Sequence, residues 1–168
     1  MIALAGHVLW DLVWAALAAL GFAMLLSVPK KALVTSALIG AVTHASRLAI
    51  IESHLAGLEL ATLIVSIGAG FAAVAASRAH RVLPVTVFSS VGLIPMVPGF
   101  LAYRAVINLV KFVTTGDPKL DFLALSLRPA LQTALILGGM GIGAAIPLML
   151  VPVPTLALSR PNPARENK

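Results

Sequence analysis

Five apolar runs constrain this chain more than anything else in it: residues 8–28, 32–51, 56–76, 82–110 and 129–151. Each reaches the roughly 20 residues that a helix needs to cross a hydrocarbon core. They are rich in Ala, Leu and Gly and show no period-2 alternation, so they read as helices. A lipid-exposed sheet edge would leave backbone groups unpaired. Only 11% of the residues are charged and 60% are hydrophobic, against about 25% charged in a soluble domain. There is too little polar surface to cover a water-exposed globule. The expected fold is therefore all-α, a polytopic transmembrane bundle of about five spans. One transmembrane domain is expected over residues 1–158, followed by a disordered cytoplasmic tail over 159–168, where Pro161, Pro163 and four charges crowd together.

The formal net charge is +6, but the basic residues stand singly or in pairs at the ends of the apolar runs, with no basic face and no interleaved aromatics. Nucleic acid is not the expected partner; the lipid bilayer is. Lys30 and Lys31, Arg78 and Arg81, and Arg160, Arg165 and Lys168 alternate with a second loop that offers only Glu52 and His54. By the positive-inside rule the N-terminus lies outside and the C-terminus inside. Lys111 and Lys119 would then lie outside, beside Asp117 and Asp121. A re-entrant fourth segment would instead leave four spans and an external tail. The first run has no basic residues before it and is interrupted by Asp11, so it is expected to stay as a membrane anchor rather than be cleaved. With no cysteine in the chain, thiol chemistry is excluded.

The fourth run reads Ile94-Pro95-Met96-Val97-Pro98-Gly99 at its middle. Two prolines each remove a backbone donor and crowd the preceding turn, and glycine loosens the backbone, so the helix is expected to break at Pro95–Gly99. Irregular backbone survives in a membrane where protein buries it or water lines it, and discontinuous helices are a common way to hold a transported solute. A kink used only for packing is the alternative.

Polar side chains fall on single helix faces. Ser36, Gly40, Thr43, His44 and Arg47 share one face of the second span, with Leu38, Ile39, Val42 and Leu48 largely elsewhere. Glu59, Thr62, Ser66 and Gly70 align on the third, and Arg104, Asn108 and Lys111 on the fourth. A charge at mid-bilayer costs roughly 2.5–3.5 kcal/mol, so such groups line a path or find partners. Asp11 with Arg47 is the preferred pair, and Glu59 a further candidate for coupling. Two plainer readings stand beside these, a snorkelling Arg47 and a packed His44. Gly139 and Gly143 have the GxxxG spacing that lets helices approach closely, chiefly a packing signal, with self-association left open. The chain has no HExxH, GxSxG or phosphate loop, so no catalytic residue, metal or cofactor is assigned and an ATP-driven mechanism within it is excluded.

Three stretches together carry a resemblance: Gly21 through Met24 to Val28-Pro29; Gly40 through His44, Ser46 and Arg47; and Ile94-Pro95-Met96, Pro98-Gly99 and Ala102-Tyr103. Over residues 11–111 the chain resembles the small subunit of the threonine/serine exporter family, most specifically in the IPMxPGxxAY pattern. In single-chain members this region resembles the C-terminal half; split members pair a small subunit with a larger membrane subunit, and some of these resemble succinate exporters. The resemblance implies proton-driven export of a small amino or dicarboxylic acid, an anionic or zwitterionic substrate, across the cell (inner) membrane. It also implies a larger membrane subunit as partner. The candidate substrate-binding residues are Arg47, His44, Pro95, Pro98, Gly99, Tyr103 and Arg104. Competing expectations are a non-transporting scaffold, a channel and, least favoured, an intramembrane enzyme.

Overall fold

The computed structural model describes residues 2–80, 83–115 and 120–151. Six helices follow one another: α1 (Ile2–Leu25), α2 (Lys30–Glu52), α3 (Leu58–His80), α4 (Val85–Leu93), α5 (Gly99–Thr114) and α6 (Leu120–Leu150), with a 3₁₀ turn at Ile94–Met96 between α4 and α5. There is no strand among the described residues. Four helices are long and apolar enough to cross a membrane, and the pair α4–α5, bent by 58° at the break, makes a fifth. The protein is thus an all-helical membrane bundle with an interrupted fourth span. The expected tail, Arg81, Asp117 and the end of the expected domain lie outside the described residues.

Short reversals connect the first three helices. Both are closed by a residue in left-handed backbone, Ser27 at φ 55° and His54 at φ 56°. At each, an amide one residue further on reaches back five residues, Val28 to the Ala23 carbonyl at 3.0 Å and Leu55 to the Ile50 carbonyl at 3.2 Å. These bonds satisfy carbonyls that the helix ends leave without donors. At the opposite end from His54, Thr35 Oγ1 and His80 Nε2 lie 2.8 Å apart, which sets the start of α2 level with the end of α3.

The core is built mainly from small side chains. Ala19, Ala23, Ala73, Phe88 and Val91 form one buried cluster, and Ala69, Leu93, Met96, Ile136 and Met140 another. Without a hydrophobic force between helices in lipid, close backbone approach supplies the contact. At Gly40 a Cβ would stand 2.4 Å from that of Ala19 and 3.3 Å from the Val91 carbonyl. Pro95, four residues after Val91, cannot donate to that carbonyl in the usual way, so the glycine sits where the α4 ladder is already interrupted. The polar face expected on α2 is inward, with Ser36, Gly40 and Thr43 buried. Ile39, expected elsewhere, is also buried, because Gly92 of α4 leaves room for its Cγ2.

The fifth apolar run was expected to begin at Pro129, but α6 is a 31-residue helix that starts at Leu120 and carries Pro129 in its interior. The helix tolerates it for a local reason. Pro129 lacks the N–H that would bond the Leu125 carbonyl, and Asn108 Nδ2 of α5 donates there instead, at 3.2 Å. The last span therefore includes Arg128 and Gln132.

Helices α3 and α6 run in the same direction. Successive contacts join Glu59 to Gln132, Leu63 to Gly139, Ser66 to Gly143 and Gly70 to Pro147. Gly143 is the tightest point: a Cβ there would lie 2.7 Å from Ser66 Cβ and 3.0 Å from the Leu63 carbonyl. This register carries the first turns of α6 past the start of α3, where they pack on α5. That hairpin leaves α5 without a buried residue.

Candidate substrate and coupling site

The break in the fourth span meets the polar face of α2. At Val97 the chain turns extended, with ψ 126°, and the amide of Gly99 bonds the Val97 carbonyl at 2.8 Å. The Met96 carbonyl is not handed on to a following helical turn. Arg47 Nη1 donates to it at 3.0 Å, and the same guanidinium, through Nη2, lies 3.2 Å from His44 Nε2. His44 Nδ1 in turn lies 2.7 Å from Asp11 Oδ2 on α1. The result is one chain of contacts, Asp11–His44–Arg47–Met96 carbonyl, that ties α1, α2 and the break together.

Its proton placement follows from chemistry. An arginine offers only donors, so His44 Nε2 must be the acceptor, and Nδ1 then carries the proton that is donated to Asp11. The arrangement describes a neutral imidazole held between a carboxylate and a guanidinium. Asp11 and His44 are each about three-quarters buried, so the carboxylate and the ring meet largely away from solvent. The direct Asp11–Arg47 pair expected from the sequence is not formed. Axial register decides this: Asp11 stands level with His44, one turn before Arg47, and Arg47 turns instead to the free carbonyl.

A cavity of about 350 Å³ opens beside this chain, lined by Asp11, Trp14, Phe22, His44, Ile94 and Pro95. Of the expected residues, His44 and Pro95 thus share one cavity with Asp11, and Arg47 touches His44 without lining the cavity itself. The remaining expected residues are elsewhere. A Cβ on Gly99 would meet nothing within 4 Å, and its N–H donates to the Val97 carbonyl. Pro98 only precedes α5, and Tyr103 is exposed. Arg104 lies over the Phe100 ring, 5.7 Å from its centre, and lines a second cavity between α5 and α6. Glu59 does not join Arg47; it accepts a hydrogen bond from Gln132 at 3.1 Å.

Sequence reasoning missed Arg128 and Gln132. They lie four apart on α6 and so share a face, a signal that becomes visible once the span is allowed to begin before Pro129. It also missed Asn108 as the donor that compensates for Pro129.

Compared with known families, residues 11–150 match the model described as Threonine/Serine exporter, ThrE. The match takes in Asp11, the break and all of α6. No solved structure matches the chain.

Proposed function

The chain belongs to the threonine/serine exporter family, and we propose that it is one subunit of a secondary-active exporter of small amino acids or dicarboxylates, completed by a larger membrane subunit. Exporter-type transport across a membrane is the family's activity. The finer reading rests on one observation, the attachment of Arg47 to the Met96 carbonyl through a guanidinium that also leans on His44.

Arg47 is held by two neutral acceptors, a carbonyl and an imidazole nitrogen. A substrate carboxylate offers two charged oxygens in the geometry that a guanidinium fits best. A substrate carboxylate that passes from the cavity beyond His44 to Arg47 therefore competes for its donors and, on winning, releases the carbonyl that fixes the break. A proton acts on the same group from the other side. The His44 Nε2 lone pair takes either an Arg47 N–H or a proton, not both, so protonation there also frees Arg47. One cation answering to both substrate and proton is a minimal coupling device. Lys30, Lys31 and Arg78 gather at one end of the bundle, which supports reading that end as cytoplasmic, with Asp11 and Arg47 toward the outer side of the cell membrane. Labelling of a cysteine at Ser53 from the cytoplasm alone would reverse this orientation.

The larger subunit is expected on the faces that this chain leaves open. Trp10, Val13 and Leu17 of α1 and Phe100, Val106 and Val113 of α5 are all more than half exposed. The test is efflux of radiolabelled threonine or succinate from cells expressing the chain with its larger subunit. Export should need both subunits and stop when the proton gradient is collapsed. Efflux that persists without the gradient makes the complex a channel. Unchanged efflux in Arg47→Ala and His44→Ala at equal membrane abundance makes this chain a scaffold.

A further inference from the structure

Away from the break, a second cavity of about 260 Å³ lies between α5 and α6 and contains two arginines, Arg104 and Arg128, together with Gln132. Arg104 stands on α5 and Arg128 on α6, one turn before Gln132, and both are exposed. Neither has a carboxylate partner among the described residues. Arg104 rests on the face of Phe100, which steers its guanidinium without neutralising it. Among the described residues, the carboxylate tied to this cavity is that of Glu59, which accepts from Gln132 and offsets one of the two positive charges. Two like charges sharing a cavity repel each other, and an anion held between them relieves that repulsion. Leu101, Ala124, Leu125 and Pro129 complete the wall.

We infer that this cavity is an oxyanion-binding site, in which Arg104 and Arg128 take a carboxylate or phosphate between them and Gln132, oriented by Glu59, supplies a neutral donor at its edge. Gln132 has two amide hydrogens, and the bond to Glu59 uses one, leaving the second for a ligand. The site is separate from the Asp11–His44–Arg47 chain and stands on charge and geometry whether or not the protein exports anything. Its ligand is either the carboxylate of a small solute or the phosphate of an anionic lipid, since the two present the same oxygens to the arginines.

The experiment separates these sources. The full chain is placed in nanodiscs of phosphatidylcholine alone, and binding of radiolabelled succinate is measured for wild type, Arg104→Gln, Arg128→Gln and the double variant. A second preparation carries phosphatidylglycerol, and retained lipid is counted by native mass spectrometry. Each single substitution should weaken binding by about tenfold, the worth of one charged hydrogen-bonded contact. Arg128→Lys should recover part of it, and the losses should persist in an Arg47→Gln background, where the cation at the break is gone. Loss in the succinate arm assigns the site to a solute, and loss in the lipid arm assigns it to a headgroup. If the double variant matches wild type in both arms, with the helix content of the variant intact by circular dichroism, the inference is overturned.

Discussion

Arg47 Nη1 of α2 donates to the Met96 carbonyl at 3.0 Å, so the cation of one span holds the interrupted backbone of another. A side chain here does what an amide of the same helix ordinarily does. The bond is also reversible on demand, because a stronger acceptor near Arg47 can take the donor away.

From this attachment, Arg47→Ala is expected to lower efflux at least tenfold at equal membrane abundance, since it leaves a carbonyl without a donor at a functional hinge. Arg47→Lys should keep only part of the activity. Its single ammonium is a point charge that cannot reproduce a planar fork reaching both Met96 and His44. Equal activity of the two variants would leave Arg47 a membrane anchor.

Asp11 and His44 should behave as a unit. Asp11→Ala removes the acceptor for the Nδ1 proton, so the ring is free to change tautomer and Arg47 loses its Nε2 acceptor. The loss in efflux from Asp11→Ala, His44→Ala and the double variant should be similar rather than additive. Additive losses would mean that the two residues act separately.

Asn108 and Pro129 should be coupled through the Leu125 carbonyl. Asn108→Leu removes the donor to that exposed carbonyl and should cost about 0.5–1 kcal/mol, seen as a lower unfolding temperature in detergent. In a Pro129→Ala background the new amide bonds the same carbonyl along the helix, and the cost of Asn108→Leu should largely vanish. The coupling is read from the four-way cycle.

The two glycines of the GxxxG pair should differ. Gly143→Ala pushes a methyl into the Ser66 side chain and the Leu63 backbone and should destabilise by about 1–3 kcal/mol. At Gly139 the same methyl would make ordinary contact at 3.7 Å, so thermal stability should hold. Equal sensitivity at both positions would contradict the α3–α6 register described above.

The spans and the break were legible because each rests on local chemistry. Apolar length implies a membrane helix, and Pro95, Pro98 and Gly99 imply an interruption wherever the helix lies. Which residue meets Asp11 was not legible. His44 and Arg47 share a face one turn apart, and the choice between them depends on the sliding of α1 along α2, which no local pattern encodes. Arg128 was lost for a different reason. Pro129 looks like the start of a helix when read alone, and only the amide of Asn108, 21 residues earlier in sequence, lets the helix run through it.

Helix α4 has nine residues, six of them buried, and at 1.5 Å per residue it is about 14 Å long, less than half of a hydrocarbon core. No translocon could release such a segment into lipid by itself. α1, α2 and α3 can each partition as they leave the ribosome, whereas α4 must wait for α5 or lean at once on α2 and α3. The helix that carries the break is therefore also the one whose insertion depends on its predecessors, and the order of synthesis, N-terminus first, is the order that assembly requires.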